Sequence, residues 1–213
     1  FDGADWFHFT GITPAISKNA GEVCIEAAKA AKELGITVSA DMNYRKNLWT
    51  PEEAQATMIP MMKYVDVSIG NEEDAEKCLG VAAEGVDVTV GEIDPEAYRP
   101  VVQELVDRFG FKKVAITLRE SFSADDNGWS AIYFDSDEIL VGNKYPVRIV
   151  DRVGGGDSFC AAMIYGLNQD GWDSRQVLDF AVASSAMSHT FHGDFNLVSV
   201  KEVMAVAGGD TSG

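Results

Sequence analysis

The chain has 213 residues, 46% of them hydrophobic, and its 34 acidic and 17 basic side chains give a formal net charge of −17. This length is enough for one α/β domain with a hydrophobic core of its own. So acidic a surface argues against a nucleic acid or an anionic membrane as partner. Any phosphate site must therefore be built locally, from backbone N–H groups and a bound cation.

The sequence also predicts a cytoplasmic protein. No apolar stretch reaches the roughly 18 residues of a membrane span, and no basic segment followed by an apolar run opens the chain. Three widely separated cysteines, Cys24, Cys78 and Cys160, fit reduced, buried thiols. His189 and His192 are three residues apart, but such a pair more often packs or faces solvent than binds a metal.

Predicted strands and helices alternate along the first half of the chain. Strands are predicted at 5–10, 36–40 and 64–69, and helices at 20–34, 51–62, 72–79 and 94–109. Thr50, Pro51 and Glu53 predict a capping box at the start of one helix, and Asn71 is the predicted cap of another.

The second half continues the alternation, with predicted strands at 113–118, 129–134 and 138–141 and helices at 158–168, 174–189 and 200–206. This order indicates an α/β fold with a mostly parallel sheet and helices on both faces. We expect residues 1–207 to form one domain and residues 208–213 a flexible tail. Ligands of such sheets bind beyond the carboxyl ends of the strands, where polar clusters occur at 11–13, 41–45, 70–74 and 117–119.

The most informative segment is 151–157, Asp-Arg-Val-Gly-Gly-Gly-Asp, which runs into an apolar segment with helical spacing. Three consecutive glycines predict a turn that feeds a helix N-terminus, where free N–H groups and the helix dipole favour an anion. Asp157 at this point fits a general base that takes a proton from a hydroxyl while the N–H groups hold a phosphoryl group. The simpler alternative is that Asp157 only caps the helix.

Several segments, in order along nearly the whole chain, resemble motifs of the ribokinase-like (PfkB-type) family of sugar kinases. Segment 151–157 resembles the pattern Asp-Thr-x-Gly-Ala-Gly-Asp, with Arg152 in place of Thr and Gly155 in place of Ala. Segment 41–45 is similar to the Asp-x-Asn-x-Arg segment of family members. Segment 71–74 resembles Asn-x-x-Glu, with Asp74 in place of Glu. Within the family, segments 117–130 and 189–196 resemble the branch of 2-keto-3-deoxygluconate kinases.

The resemblance implies a catalytic role for the glycine-rich segment. Asp157 would be the general base, and Gly154, Gly155 and Gly156 would offer backbone N–H groups to the transferred phosphoryl group. Asp194 would reach the same site from the connection before the last helix, unless it is only a turn residue.

The resemblance also implies binding roles for residues at the strand ends. Arg45 would pair with the carboxylate of a sugar acid, with a surface ion pair as the alternative. Thr117 and Arg119 would lie near ATP. Asn71 and Asp74 would orient water around a Mg²⁺ ion that bridges the nucleotide phosphates, with a plain helix cap as the alternative.

Members of this family are longer than this sequence, which lacks their N-terminal glycine-rich strand and the small β-sheet lid over the sugar. Without those strands, an apolar sheet edge would be exposed, so we expect the chain to associate as a homo-oligomer.

The expected function is ATP- and Mg²⁺-dependent phosphorylation of a sugar acid, 2-keto-3-deoxygluconate, to its 6-phosphate. One alternative is a kinase for a neutral sugar such as fructose or ribose, and another is a truncated, non-catalytic binding domain. A dinucleotide-binding oxidoreductase ranks last, since no Gly-x-Gly-x-x-Gly follows the first strand.

Overall fold

The computed structural model describes residues 1–82, 95–136 and 138–209. Within these ranges the elements in chain order are β1 (Trp6–Thr10), α1 (Ile12–Ile16), α2 (Lys18–Glu33), β2 (Thr37–Asp41), α3 (Pro51–Met62), β3 (Val67–Asn71), α4 (Glu72–Leu79), α5 (Pro95–Phe109), β4 (Lys113–Ser121), β5 (Asp126–Asp135), β6 (Glu138–Val141), β7 (Tyr145–Arg148), α6 (Gly155–Leu167), α7 (Ser174–Ser188) and α8 (Val200–Ala207). No helix in this part of the chain has the length and apolar character needed to cross a bilayer.

The strands of the described residues form a seven-stranded sheet in the order β1-β2-β3-β4-β5-β6, with β7 paired to β5. β2 lies between β1 and β3 and is parallel to both, whereas β5 and β7 are antiparallel. This mixed sheet with its connecting helices confirms the predicted α/β class.

The chain divides into two compact units. The first comprises described residues 1–82, 96–116 and 134–136, and the second comprises 95, 117–133 and 138–209. The prediction of one domain over residues 1–207 stays a prediction. Of the predicted tail, residues 210–213 lie outside the described residues, as does Asp94, the predicted start of α5.

Local sequence signals placed several helix ends correctly. Thr50 Oγ1 accepts a hydrogen bond from the Glu53 N–H at 3.3 Å, and the Glu53 carboxylate accepts one from the Thr50 N–H at 2.8 Å, which is the predicted capping box of α3. At the C-terminal end of α4, Gly80 adopts a left-handed conformation with φ +67° and ends the helix.

Other elements differ from prediction. α1 follows β1 directly and was not predicted. β3 begins at Val67 rather than at residue 64, because Tyr64 and Val65 donate their N–H groups back to the end of α3. β7 escaped prediction because Pro146 interrupts a run of only four residues.

Asp66 is a buried carboxylate of the first unit, at the turn between α3 and β3. Its carboxylate contacts the ammonium groups of Lys32 and Lys112, the latter at 2.9 Å, and accepts the Val38 N–H at 3.1 Å. Burial alone would raise the pKa of Asp66, but these donors lower it below its ordinary value of 3.8. The carboxylate therefore ties β2 and α2 to the start of β3 in its charged form.

We expect Asp66→Ala to lower the free energy of unfolding by on the order of 2 kcal/mol, because the Val38 N–H and both ammonium groups lose their acceptor. Since the folded pKa is depressed, this contribution is complete above pH 3.8 and is lost as the pH falls through the folded value. Urea denaturation at neutral pH measures the effect. Lys112→Ala is the control, with a loss of no more than about 0.5 kcal/mol, because Lys112 is mostly exposed. Equal losses in the two variants would contradict this account.

Candidate functional site

The glycine-rich segment forms the N-terminal turn of α6. Gly154 is the N-cap with φ +80°, and the helix begins at Gly155 rather than at the predicted residue 158. Asp157 is thus the third residue of the helix, and α6 has no side-chain cap. The alternative that Asp157 serves as the N-cap is therefore wrong.

Two backbone donors remain open at this turn. The Gly155 N–H points to the Arg152 carbonyl at 3.4 Å, and the Ser158 N–H donates to the Gly154 carbonyl at 2.8 Å. Between them, the N–H groups of Gly156 and Asp157 have no acceptor within the described ranges. The Asp157 side chain is exposed at the same place. A carboxylate and two free N–H groups are what a general base beside an anion site requires.

The connection between α7 and α8 packs against the glycine turn. A Cβ atom added to Gly154 would lie 2.4 Å from the backbone oxygen of Asp194. The Asp151 carboxylate accepts N–H groups from Val153 and Gly193, each at 3.0 Å, and these two bonds lower its pKa. The structure thus brings the backbone of Asp194 next to Gly154, and the residue is exposed. The predicted role of its side chain in the site stays a prediction.

Asn196 fastens the same connection to the helices. Its Nδ2 contacts Ser158 Oγ and donates to the carbonyl and hydroxyl oxygens of Ser184 at 3.1 and 3.0 Å. Ser158 follows Asp157 in α6, and Ser184 lies in α7. The position of the first turn of α6 therefore depends on a buried polar network, which no local sequence signal indicated.

His189, the C-cap of α7, is buried against the glycine turn with only 5% of its surface exposed. Its Nδ1 lies 2.6 Å from the Ser185 carbonyl, so Nδ1 carries the proton. The ring packs on Trp129 with a centroid separation of 4.7 Å. Burial lowers the pKa of His189, and the positive charges of Arg152 and Arg119 act in the same direction. At neutral pH the ring is therefore uncharged.

This depressed pKa predicts a specific loss of stability in acid. Below the ordinary value of 6.5, the unfolded chain binds a proton at His189 that the folded chain does not, so the native state is penalised as the pH falls. We expect the melting temperature of the unsubstituted chain to fall more between pH 7.5 and pH 5 than that of His189→Asn. His192→Asn, at an exposed position, should behave like the unsubstituted chain. Identical pH profiles for His189→Asn and the unsubstituted chain would refute the prediction.

In the first unit, the ends of β1 and β2 meet as expected for parallel neighbours. A Cβ on Gly11 would lie 2.0 Å from the Met42 oxygen, so only glycine allows this approach. Asn43, with φ +40°, donates from Nδ2 to Thr10 Oγ1 at 3.1 Å. Two residues later Arg45 is exposed, which leaves its guanidinium accessible to a ligand.

Asn71 and Asp74 form a capping box at the start of α4. Asn71 Oδ1 accepts the Asp74 N–H and Asp74 Oδ2 accepts the Asn71 N–H, both at 2.9 Å, while Asp74 Oδ1 accepts the Tyr44 N–H at 2.8 Å. Burial raises the pKa of Asp74, although these N–H groups and the charge of Arg45 oppose the rise. The capping role is thus present in the structure, and Asp74 also links segment 41–45 to α4.

The predicted role of this pair near Mg²⁺ stays a prediction. Both oxygens of Asp74 already accept backbone hydrogen bonds, and the side chain is buried, which disfavours a direct bond to the ion. Over the described ranges, no group of three or more His, Cys, Asp and Glu side chains is arranged to hold a metal ion.

The sequence suggested that Thr117 and Arg119 lie at the end of a strand. In the structure they do not. β4 continues to Ser121, where a tight turn to β5 includes a hydrogen bond from the Phe122 N–H to the Asp126 carbonyl at 3.0 Å. Both residues are therefore inside the strand, with Thr117 half-buried and Arg119 exposed. Their predicted proximity to ATP stays a prediction.

Two groups of the predicted site residues are each brought together. The second unit gathers the glycine turn, Asp157 and Asp194, and adds His189 and Asn196, which were not predicted as site residues. Their only signal was that both belong to segment 189–196, which had been singled out for its resemblance. The first unit gathers Arg45, Asn71 and Asp74.

Comparison with known proteins places these features in a family. Residues 1–199 match the sequence profile of the pfkB family carbohydrate kinases. The chain is 30% identical over 207 residues to a 2-dehydro-3-deoxygalactonokinase from Haloferax volcanii, with 97% of this chain and 58% of that protein covered. It is 32% identical over 199 residues to a 2-dehydro-3-deoxygluconokinase from Thermoproteus tenax, with 90% and 51% covered. The chain thus spans about half the length of these curated relatives.

A solved structure is similar at a higher level of identity. The crystal structure of 2-dehydro-3-deoxygluconokinase from Thermotoga maritima superposes with a TM-score of 0.88 at 48% sequence identity. The likeness covers 97% of this chain and 60% of that one.

Proposed function

Since the chain belongs to the pfkB family of carbohydrate kinases, we propose that the protein transfers the γ-phosphoryl group of ATP to a hydroxyl of a sugar acid. The substrate we propose is 2-keto-3-deoxygluconate (2-dehydro-3-deoxygluconate), which is converted to its 6-phosphate. The observation that carries this proposal is the exposed Asp157 carboxylate beside the open N–H groups of Gly156 and Asp157.

In the proposed reaction the sugar hydroxyl attacks the γ-phosphorus, and the bond from that phosphorus to the β,γ-bridging oxygen breaks. Asp157 accepts the proton that the hydroxyl loses, and ADP leaves with the bridging oxygen. The open N–H groups at the start of α6 stabilise the negative charge on the transferred group. Mg²⁺ would accompany ATP and shield its phosphate charge, with Asn71 and Asp74 orienting water around it.

A sugar acid is favoured over a neutral sugar for two reasons. The relatives from H. volcanii and T. tenax carry the names of sugar-acid kinases. Arg45 offers an exposed planar guanidinium, which suits a carboxylate better than a hydroxyl.

A panel of substrates tests the proposal. ADP release is measured with ATP and either 2-keto-3-deoxygluconate, fructose or ribose, and ATP binding is measured separately by calorimetry. We expect ADP release with the sugar acid alone. Faster release with fructose or ribose would favour the neutral-sugar kinase, and ATP binding without any release would favour a non-catalytic domain.

A further inference from the structure

His189 contacts the chain at two places, just before segment 151–157 and at Gly155 within it. The His189 carbonyl accepts the Val150 N–H at 2.8 Å, just before segment 151–157. Its ring lies against Gly155, where a Cβ atom would be 2.5 Å from Cε1 and 2.6 Å from Nε2. Ser185 Oγ also contacts Gly155, by donating to its carbonyl at 2.8 Å.

The ring therefore occupies the space that a side chain at position 155 would need. No left-handed backbone angle requires glycine there, in contrast to Gly154. The three atoms nearest to such a Cβ all belong to the imidazole of His189.

This contact controls the donors used in the proposed reaction. Gly155 is the first residue of α6, and the open N–H groups belong to the next two residues. A displacement of Gly155 by about 1 Å, the distance needed to relieve such a contact, would move both donors and Asp157 together. Errors of that size in positioning cost on the order of 10²-fold in rate.

We propose that His189 is a positioning residue that sets the first turn of α6 through its steric contact with Gly155, and that the two residues work only as a matched pair. The proposal rests on the proposed kinase function. In this role His189 acts through Gly155, not by contact with the phosphoryl group or the sugar.

Single and double substitutions of Gly155 and His189 test the proposal. Gly155→Ala introduces the clash, and His189→Asn removes Cε1 and Nε2 while keeping an N–H donor where Nδ1 contacts Ser185. We expect Gly155→Ala to lower kcat by roughly 10²-fold with a smaller change in KM. The double variant Gly155→Ala/His189→Asn should recover at least about tenfold of that loss, because the Cβ then fills the space left by the ring.

Melting temperatures of all variants are measured in parallel. Gly156→Ala is the stability control, since a Cβ there meets no atom within 4 Å.

Each outcome decides the question. Recovery of kcat in the double variant supports the matched pair. Recovery of the melting temperature without recovery of kcat means a purely structural contact and overturns the positioning role, as does no recovery of either. Absence of transfer by the unsubstituted protein would instead overturn the proposed function, and the melting temperatures would still show whether the Gly155–His189 contact exists.

Discussion

Asp157→Asn is expected to lower the rate of phosphoryl transfer by roughly 10²–10⁴-fold, because the amide cannot accept the proton that the attacking hydroxyl loses. Nucleotide affinity should change little, since the N–H groups of Gly156 and Asp157 belong to the backbone and survive the substitution. The measurements are steady-state kinetics with the sugar acid and calorimetric titration with ATP.

The control for this substitution is Asp170→Asn. It removes the same charge from an exposed position just after α6, so it separates the loss of a base from the change in net charge. We expect Asp170→Asn to retain the unsubstituted rate. If Asp157→Asn retained it as well, Asp157 would have no part in the reaction.

Gly154→Ala is expected to disrupt the same turn by two separate effects. The φ of +80° is strained for alanine, and the new Cβ would lie 2.4 Å from the Asp194 oxygen, a backbone atom that cannot swing aside. Together they should lower the free energy of unfolding by about 2–3 kcal/mol and the transfer rate by at least roughly 10²-fold.

Gly171→Ala separates these two effects. Gly171 has almost the same angle, φ +81°, but a Cβ there meets no atom within 4 Å. It should therefore lose only the backbone term, about 1 kcal/mol, in a denaturation experiment. If Gly154→Ala were no more harmful than Gly171→Ala, the connection through Asp194 would not be pressed against the glycine turn.

Features encoded within a few residues were predictable from the sequence. The capping boxes at Thr50 and Asn71 need only a partner three residues away, and both are present. The glycine-rich segment was correctly placed at a helix start, because three glycines followed by an apolar helical pattern have few other uses. The predicted helix start at residue 158 and the alternative of Asp157 as the cap were wrong, since nothing local shows that the helix already begins at Gly155.

Features that join distant segments were not predictable in the same way. Asp74 was identified as a carboxylate near the strand ends. Its second oxygen, however, accepts a hydrogen bond from Tyr44, 30 positions earlier in the chain. Asn196 and His189 reach the start of α6 from 30 or more positions away. A single sequence does not show which residues, distant along the chain, are in contact in the folded protein.

By itself, therefore, the amino-acid order determined the alternation of strands and helices, the capping of individual helices and the glycine-rich start of α6. These depend on backbone preferences and on hydrogen bonds that close within a single turn. Only the tertiary structure decided which backbone N–H groups at that start have no acceptor, what occupies the space beside Gly155, and that burial lowers the pKa of His189. Those properties arise from packing and desolvation between segments that meet only when the chain is folded.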